Sequence, residues 1–338
     1  MLFTLQIIAA LLLDFLFGDP PWLPHPARAV GLLCAWLEGR SRALCASPFF
    51  AGMLTVTVAI FSVIACIVGL LLLASLWRPW LAEVLALYFV YSGIAAKDLA
   101  RHAWAVHRAL IRGDLDLARR NVAMVVGRDT ESLDETGVCR ACVESVAENT
   151  ADGVTAPIFF ALAASLIPSP FSLPLSPLAM AALGIWLYKT INTMDSMFGY
   201  KNERYQDFGR APARLDDAAN FLPARLTGPT LVAAAFCLRL DGKESFAMLR
   251  RDRLAHSSPN SGHAEAAVAG ALGLRLGGSS VYGGRIVEKP ALGDATREIS
   301  RDDIPKTIRL MFVATLLFTA TLLALLPLIK ALWAIATL

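Results

Sequence analysis

Phe49–Trp77, FFAGMLTVTVAIFSVIACIVGLLLLASLW, carries no charged side chain. At about 1.5 Å of rise per residue, a helix of this length crosses a hydrocarbon core of about 30 Å with turns to spare. Arg78-Pro79 makes a tight turn, and Trp80–Ala96 returns as a second apolar run. Trp77 and Trp80 suit an aromatic belt at that interface. Working outward, Leu2–Phe17 is a short first span and Ile308–Leu338 the last. Val154–Ile167 and Leu178–Ile191 are shorter runs joined by PSPFSLPLSP, which reads as a hairpin with a proline-stiffened bend. The expected fold is all-α: a polytopic integral membrane protein, one membrane-embedded domain over 1–338. About six spanning or hairpin helices lie near 2–17, 49–77, 80–96, 154–167, 178–191 and 309–330.

Composition agrees. Of 338 residues 56% are hydrophobic and only 17% charged, with a mean hydropathy of +0.54, below the charge content of soluble domains. A net charge of +3 without a basic stripe interleaved with aromatics argues against nucleic acid as a partner. Met1–Phe17 lacks a basic n-region and carries Asp14, so it reads as a retained membrane segment and not a secretory signal. Six scattered cysteines form no disulfide framework, and Cys139/Cys142 is a lone CxxC, weak for zinc.

The polar blocks are 18–48, 97–153 and 192–308. If the central hairpin enters and leaves on one side, nearly every lysine and arginine falls there except Arg78 and Lys330. That side is then the cytoplasm of a cell (inner) membrane protein, with the active site facing it. In the first block, proline density in DPPWLPHPARAVG predicts a rigid, non-helical connection.

Val126–Pro157, VGRDTESLDETGVCRACVESVAENTADGVTAP, is the most polar stretch next to a span. Ser132 and Glu135 read as a capping box with a helix starting near Leu133, and Asn149 and Gly153 as its stop. Arg140, Glu144 and Glu148 then share one stripe, with Asp152 in the exit loop, a carboxylate set able to hold a divalent cation carrying phosphates. Asp195, Lys201, Asn202, Glu203, Arg204 and Asp207 surround a Gly199-Tyr200 turn, mixed acids and bases suited to a metal–phosphate complex. Arg214, Asp216, Asp217 and Asn220, with Arg225 beyond, sit beside apolar sequence where charge is costly and usually functional. Asn220 stands where a DDxxD diphosphate motif needs its last acid. Thr230–Leu240 reads as a separate buried or half-inserted helix, and Asp241–Leu254 starts with a D-x-x-E cap. In HSSPNSGH, Ser258, Asn260 and Ser261 before a helix start suggest an anion cradle, with Ser261 as the plain cap. His256 or His263 suits deprotonation of an amine; with Glu265 they meet no zinc spacing. No Walker A, dinucleotide fingerprint, G-x-S-x-G or H-E-x-x-H occurs.

DFLFGDPPWLPHPARAVG, the Val126–Pro157 block, NTMDSMFGYKNERY with ARLDD and ANFLPARL, and HSSPNSGHAEAAVAGALG resemble the CobD/CbiB family, the adenosylcobinamide-phosphate synthases of cobalamin biosynthesis. The resemblance implies a membrane ligase. It would join the f-carboxylate of adenosylcobyric acid to (R)-1-amino-2-propanol phosphate or ethanolamine phosphate, consuming ATP with Mg²⁺. The corrinoid is substrate, not a tightly bound cofactor. The partners that the resemblance implies are the bilayer and the two substrates, with other corrinoid-pathway membrane enzymes as a further candidate class. Such an amide requires an activated carboxylate, most simply an acyl phosphate, so catalysis reduces to positioning and charge neutralisation. On chemical grounds Glu144, Glu148, Asp152, Asp216 and Asp217, with His256 and His263, are the catalytic candidates. Glu144, Glu148, Asp195 and Asp216 are the Mg²⁺ candidates; Arg128, Lys201, Asn202, Arg204, Arg214, Asn220, Arg225, Ser258, Asn260 and Ser261 would bind substrate or phosphate. The rival readings are an intramembrane prenyltransferase-like enzyme, which needs complete DDxxD motifs, a transporter, which needs midplane charge, and a non-catalytic membrane sensor or scaffold.

Overall fold

A computed structural model describes residues 1–170, 173–200, 202–282 and 284–336. The chain is mostly helical and divides into two compact units. Among the described residues three stretches are long and apolar enough to cross a membrane, Pro48–Trp77, Pro79–Ile111 and Asp303–Leu332; Leu2–Phe17 is apolar but shorter. At the turn of the first hairpin Trp77 and Trp80 are exposed.

The first unit comprises Met1–Ala95, Ala156–Ala219 and the chain from Leu322. It holds α1 (Leu2–Phe17), α2 (Pro26–Leu44), α3 (Pro48–Trp77), α4 (Pro79–Tyr91), α8 (Ala156–Ala164) and α9 (Pro177–Phe198). Its core is α9, whose Ile185, Trp186, Tyr188, Met194 and Phe198 are buried; Trp186 Nε1 donates to the Phe89 carbonyl of α4 at 2.8 Å. A Cβ at Gly184 would lie 2.3 Å from the Phe160 carbonyl, so only glycine lets α9 approach α8 this closely. The α8–α9 hairpin is therefore real, although neither arm is among the long apolar spans. The non-helical reading of the first polar block fails at Pro26. Proline at the first helical position loses only an N–H that would be orphaned anyway, and His25 Nδ1 accepts from the Ala27 N–H at 3.2 Å to close the cap.

The second unit comprises Ala96–Thr155 and Asn220–Thr321. It contains α5 (Ala96–Ile111), α6 (Leu115–Ala123), α7 (Glu135–Asn149), α11 (Gly242–Asp252), α12 (Ser261–Leu272) and an antiparallel hairpin of β1 (Leu276–Tyr282) and β2 (Arg285–Leu292). The helix α10 (Arg210–Cys237) belongs to both units, as does α13 (Asp303–Ala336). Every residue of α12 is buried, as its all-round small and apolar composition requires. Its Gly270 allows backbone contact with α11, where a Cβ would meet the Glu244 carbonyl at 2.4 Å, and Ser245 Oγ donates to the Ala267 carbonyl at 2.8 Å.

Four expectations change in this unit. The α7 cap is Asp134, whose carboxylate accepts from the Gly137 N–H at 2.7 Å, so the helix starts two residues later than the Ser132 box implies. Asn149 and Gly153 do not stop it. The chain continues as a π-helix over Thr150–Thr155, where Thr155 Oγ1 donates to the Thr150 carbonyl at 3.1 Å, and then into α8; Asp152 is on that π-turn and not in a loop. Thr230–Leu240 is no separate element: Thr230 to Cys237 completes α10, which runs on through Pro223 and Pro229, with Thr227 Oγ1 donating to the Pro223 carbonyl at 2.8 Å between them. The all-α reading also misses the β-hairpin. Gly273 ends α12 in a left-handed conformation, φ 64°, and Gly277 and Gly278, at φ 80° and 84°, then form an irregular entry into β1. The Asp241 cap is as expected, accepting from the Glu244 N–H at 2.9 Å.

Candidate functional site

Glu144 and Glu148 lie one turn apart on α7 and face the start of α12 and the β-hairpin. Both oxygens of Glu144 are engaged: Arg128 donates to one and the Gly277 N–H to the other at 2.7 Å. Arg128 and Glu144 side chains are each only 8% exposed, so this is a buried ion pair that holds the hairpin entry against α7. Glu148 accepts from Ser261 Oγ at 2.9 Å, joining α7 to the first residue of α12. Its other oxygen accepts no hydrogen bond among the described residues.

A third carboxylate joins them. Glu265, one turn into α12, is buried; its burial together with Glu148 and Glu144 holds its carboxyl well above the usual carboxylate range, against the pull of Lys289 and Arg128. Its neutral form is thereby favoured, which eases the crowding of three carboxyls in a small volume. His256 Nε2 stands 3.8 Å from Glu265 Oε1. Its Nδ1 accepts from the Ser258 N–H at 3.0 Å, so the ring proton belongs on Nε2, and burial lowers its pKa despite nearby Glu148. His263 is buried on α12, its Nε2 without a hydrogen bond, and burial followed by Arg225 and Arg253 brings its pKa down to about 4.

The loop before α12 is organised by Ser258, whose Oγ accepts from the N–H groups of Asn260 and Ser261 at 3.2 and 3.4 Å. The N-cap is Asn260 and not Ser261. Much of the expected anion cradle is thus filled by the protein's own hydroxyl. Arg225 stacks on Phe221 at 3.5 Å and approaches Asn260 Oδ1 at 3.5 Å.

The family description CobD/Cbib protein matches residues 7–311. The chain belongs to the CobD/CbiB family. It is 46% identical to the cobalamin biosynthesis protein CobD of Desulfotalea psychrophila over 319 residues, 94% of this chain and 96% of that one. The CobD proteins of Clostridium perfringens (42%, covering 93% of this chain and 95% of theirs) and Klebsiella pneumoniae (45%, 92% and 93%) are similar over the same extent. No solved structure matches it. Family membership places the chain in cobalamin biosynthesis.

Among this CobD-family chain's expected site residues, Arg128, Glu144, Glu148, His256, Ser258, Asn260, Ser261, His263 and Arg225 fall in the second unit. Asn220 and Asp152 belong to it too, Asn220 buried and Asp152 half-buried. Asp195, Asn202, Arg204, Arg214, Asp216 and Asp217 belong to the first unit. There Asp216 is buried and accepts from Asn192 Nδ2 at 3.2 Å. Arg204 is engaged by Glu38 at 3.0 Å, and Asn202 Oδ1 accepts from the Tyr205 N–H at 3.0 Å, so both have structural work in the 202–208 turn. Lys201 lies outside the described residues. No group of three or more His, Cys, Asp or Glu side chains with metal-holding geometry occurs among the described residues. Cys139 and Cys142 are buried free thiols, the first pushed up to about 12 by burial. Sequence reasoning gave Glu265 no role beyond a rejected zinc trio and missed Gly277 entirely; the only local signal for Glu265 was a lone acid in an alanine-rich helix.

His263 supplies a pH test. Its folded pKa lies below the unfolded value of 6.5, so its contribution to stability is complete above pH 6.5 and is lost as pH falls toward about 4. His256, lowered by burial, acts in the same direction; Glu265, raised, favours the folded state as pH falls and works the opposite way. The difference between the protein and its His263→Asn variant isolates one group. The unfolding free energy of detergent-solubilised protein should fall between pH 6.5 and 4 by an amount on the order of 3 kcal/mol more for the parent than for the variant, seen as a larger drop in its thermal midpoint. Parallel curves would show that His263 is not held neutral.

Proposed function

We propose that the protein is the ATP-dependent amide ligase that joins the f-carboxylate of adenosylcobyric acid to (R)-1-amino-2-propanol phosphate or ethanolamine phosphate, giving adenosylcobinamide phosphate. The observation that carries this reading is that two of the polar family blocks, 126–157 and 256–273, meet through Glu148 and Ser261 in a CobD-family chain. Mg²⁺ is typically held by one or two carboxylates plus phosphate oxygens and water, so no all-protein cage is required. Glu148 fits that role, with one oxygen fixed by Ser261 and the other without a hydrogen bond among the described residues; Glu144, with both oxygens engaged, fits less well. The bound cation would neutralise phosphate charge.

Arg128 fixes Glu144 and with it the hairpin entry, so the two keep the walls of the site in register. His256 enters as a neutral imidazole that presents Nε2–H toward Glu265, and so as a donor and not a base in this tautomer. Glu265, pushed toward its neutral form by burial and by Glu148 and Glu144, would lower the local negative charge that an anionic substrate meets. His263, neutral far below physiological pH, serves packing at the α12 start. Asp152, on a π-turn of the kind often found at functional positions, and Asp195, Asp216, Asp217, Arg214 and Asn220 are further candidates for binding the nucleotide or corrinoid. The chain is read as a multi-pass inner-membrane protein whose polar blocks face the cytoplasm, where ATP is available.

Purified protein in nanodiscs, given adenosylcobyric acid, aminopropanol phosphate and ATP, should release adenosylcobinamide phosphate and consume ATP, both read by mass spectrometry. Absence of product with every substrate present sinks the ligase reading. Product formed without nucleotide sinks its ATP dependence.

A further inference from the structure

A cavity of about 560 Å³ in the second unit is walled by Thr136 and Arg140 of α7, by Arg275, Gly277 and Gly278, and by the Ala295–Ile299 segment. It contains three arginines, and they are not equivalent. Arg297 is committed to the fold: its two terminal nitrogens donate to both oxygens of buried Asp303, at 2.6 and 2.8 Å, and to the carbonyls of Leu272 and Glu298. Arg140 and Arg275 make no hydrogen bond or ion pair among the described residues, and Arg140 Nε is buried with no acceptor. A buried guanidinium donor without a partner is rare in folded proteins and calls for an acceptor that the chain itself does not provide. With the Arg297–Asp303 pair cancelled, Arg140 and Arg275 against Glu298 leave the wall one net positive charge.

The two glycines complete the wall. Both are at positive φ, and a Cβ on Gly278 would meet nothing within 4 Å, so the wall there is open backbone that a ligand can approach closely. Gly277 also donates to Glu144, which ties the cavity to the carboxylate cluster through a single hydrogen bond. Guanidinium groups bind phosphate oxygens in a planar fork, and two of them suit an extended anion better than a single charge.

We propose that this cavity is an oligophosphate subsite, in which Arg140 and Arg275 take the phosphate oxygens of the ligand. That the anion is the phosphate chain of the nucleotide rests on the ligase reading; that an oligophosphate binds does not. A phosphate monoester such as the amino alcohol phosphate shares the chemistry, and the test separates the two.

The full-length protein in nanodiscs is titrated calorimetrically with inorganic tripolyphosphate, inorganic phosphate and O-phosphoethanolamine, without corrinoid. Tripolyphosphate should bind, and Arg140→Gln and Arg275→Gln should each weaken it at least tenfold, whereas Arg120→Gln, an exposed cation elsewhere in the unit, should change it less than twofold. Arg140→Lys, which keeps the charge but not the fork, guards against misfolding and should lie between parent and Arg140→Gln. No tripolyphosphate binding, or equal loss with Arg120→Gln, overturns the subsite. Binding of O-phosphoethanolamine alone, lost with Arg140→Gln, overturns the oligophosphate assignment. Tripolyphosphate binding in a protein that consumes no ATP would leave the subsite standing and refute the ligase reading instead.

Discussion

Arg128→Ala is expected to destabilise the second unit by about 3–5 kcal/mol, because it strands Glu144 as an unpaired charge in a site where both side chains are 8% exposed. The loss should be read as a fall in the thermal midpoint of the detergent-solubilised protein and as earlier proteolysis of the 276–292 hairpin, which Glu144 anchors through Gly277. The double variant Arg128→Ala/Glu144→Gln makes the argument specific. A neutral amide at 144 still accepts from the Gly277 N–H but carries no charge to strand, so it should recover a large part of the stability. A single variant that melts with the parent, or a double variant no better than the single, would mean that the pair is solvated and worth little.

Glu148→Gln is expected to lower the rate of adenosylcobinamide phosphate formation by about 10²–10³, the range for loss of one preorganised electrostatic contact in a reacting site. The substitution is nearly isosteric, and the amide oxygen still accepts from Ser261 Oγ, so the link between α7 and α12 should persist and the melting temperature should hold. The rate is followed by mass spectrometry across a range of Mg²⁺ concentrations. If Glu148 carries the cation, the variant should need more Mg²⁺ for half-maximal rate, a shift that a purely structural role would not produce. A variant within twofold of the parent rate at every Mg²⁺ concentration would remove Glu148 from the proposed chemistry.

The contrast between Glu144 and Glu148 shows what was legible in the sequence. Their spacing placed both on one face of a helix, and that is how they lie. Nothing local distinguished them. Glu144 is occupied by Arg128, 16 positions away, and by Gly277, 133 away, while Glu148 meets Ser261 across 113 residues. Such partners are selected by packing and not by propensity. Glu265 is the same lesson in reverse: an acid in an alanine-rich helix looks like surface relief until α12 proves buried along its whole length. Capping was read correctly at Asp241, where no rival cap residue stands nearby, and misplaced where Ser132 and Asp134 competed two residues apart.

By itself the sequence determined which runs are long and apolar enough to cross a membrane, the position of the first long hairpin, and the CobD/CbiB family, because long uncharged runs and ordered motif blocks are properties of the chain alone. Only the tertiary structure decided that α7 continues through a π-turn where a stop was expected, that α10 runs on through two prolines, and that a glycine-rich tail folds as a β-hairpin over α7. In each case the local signal was weak or divided, and hydrogen bonds to distant segments settled it: Thr155 to Thr227 at 2.5 Å beside the π-turn, and the Gly277 N–H to Glu144 at the hairpin entry.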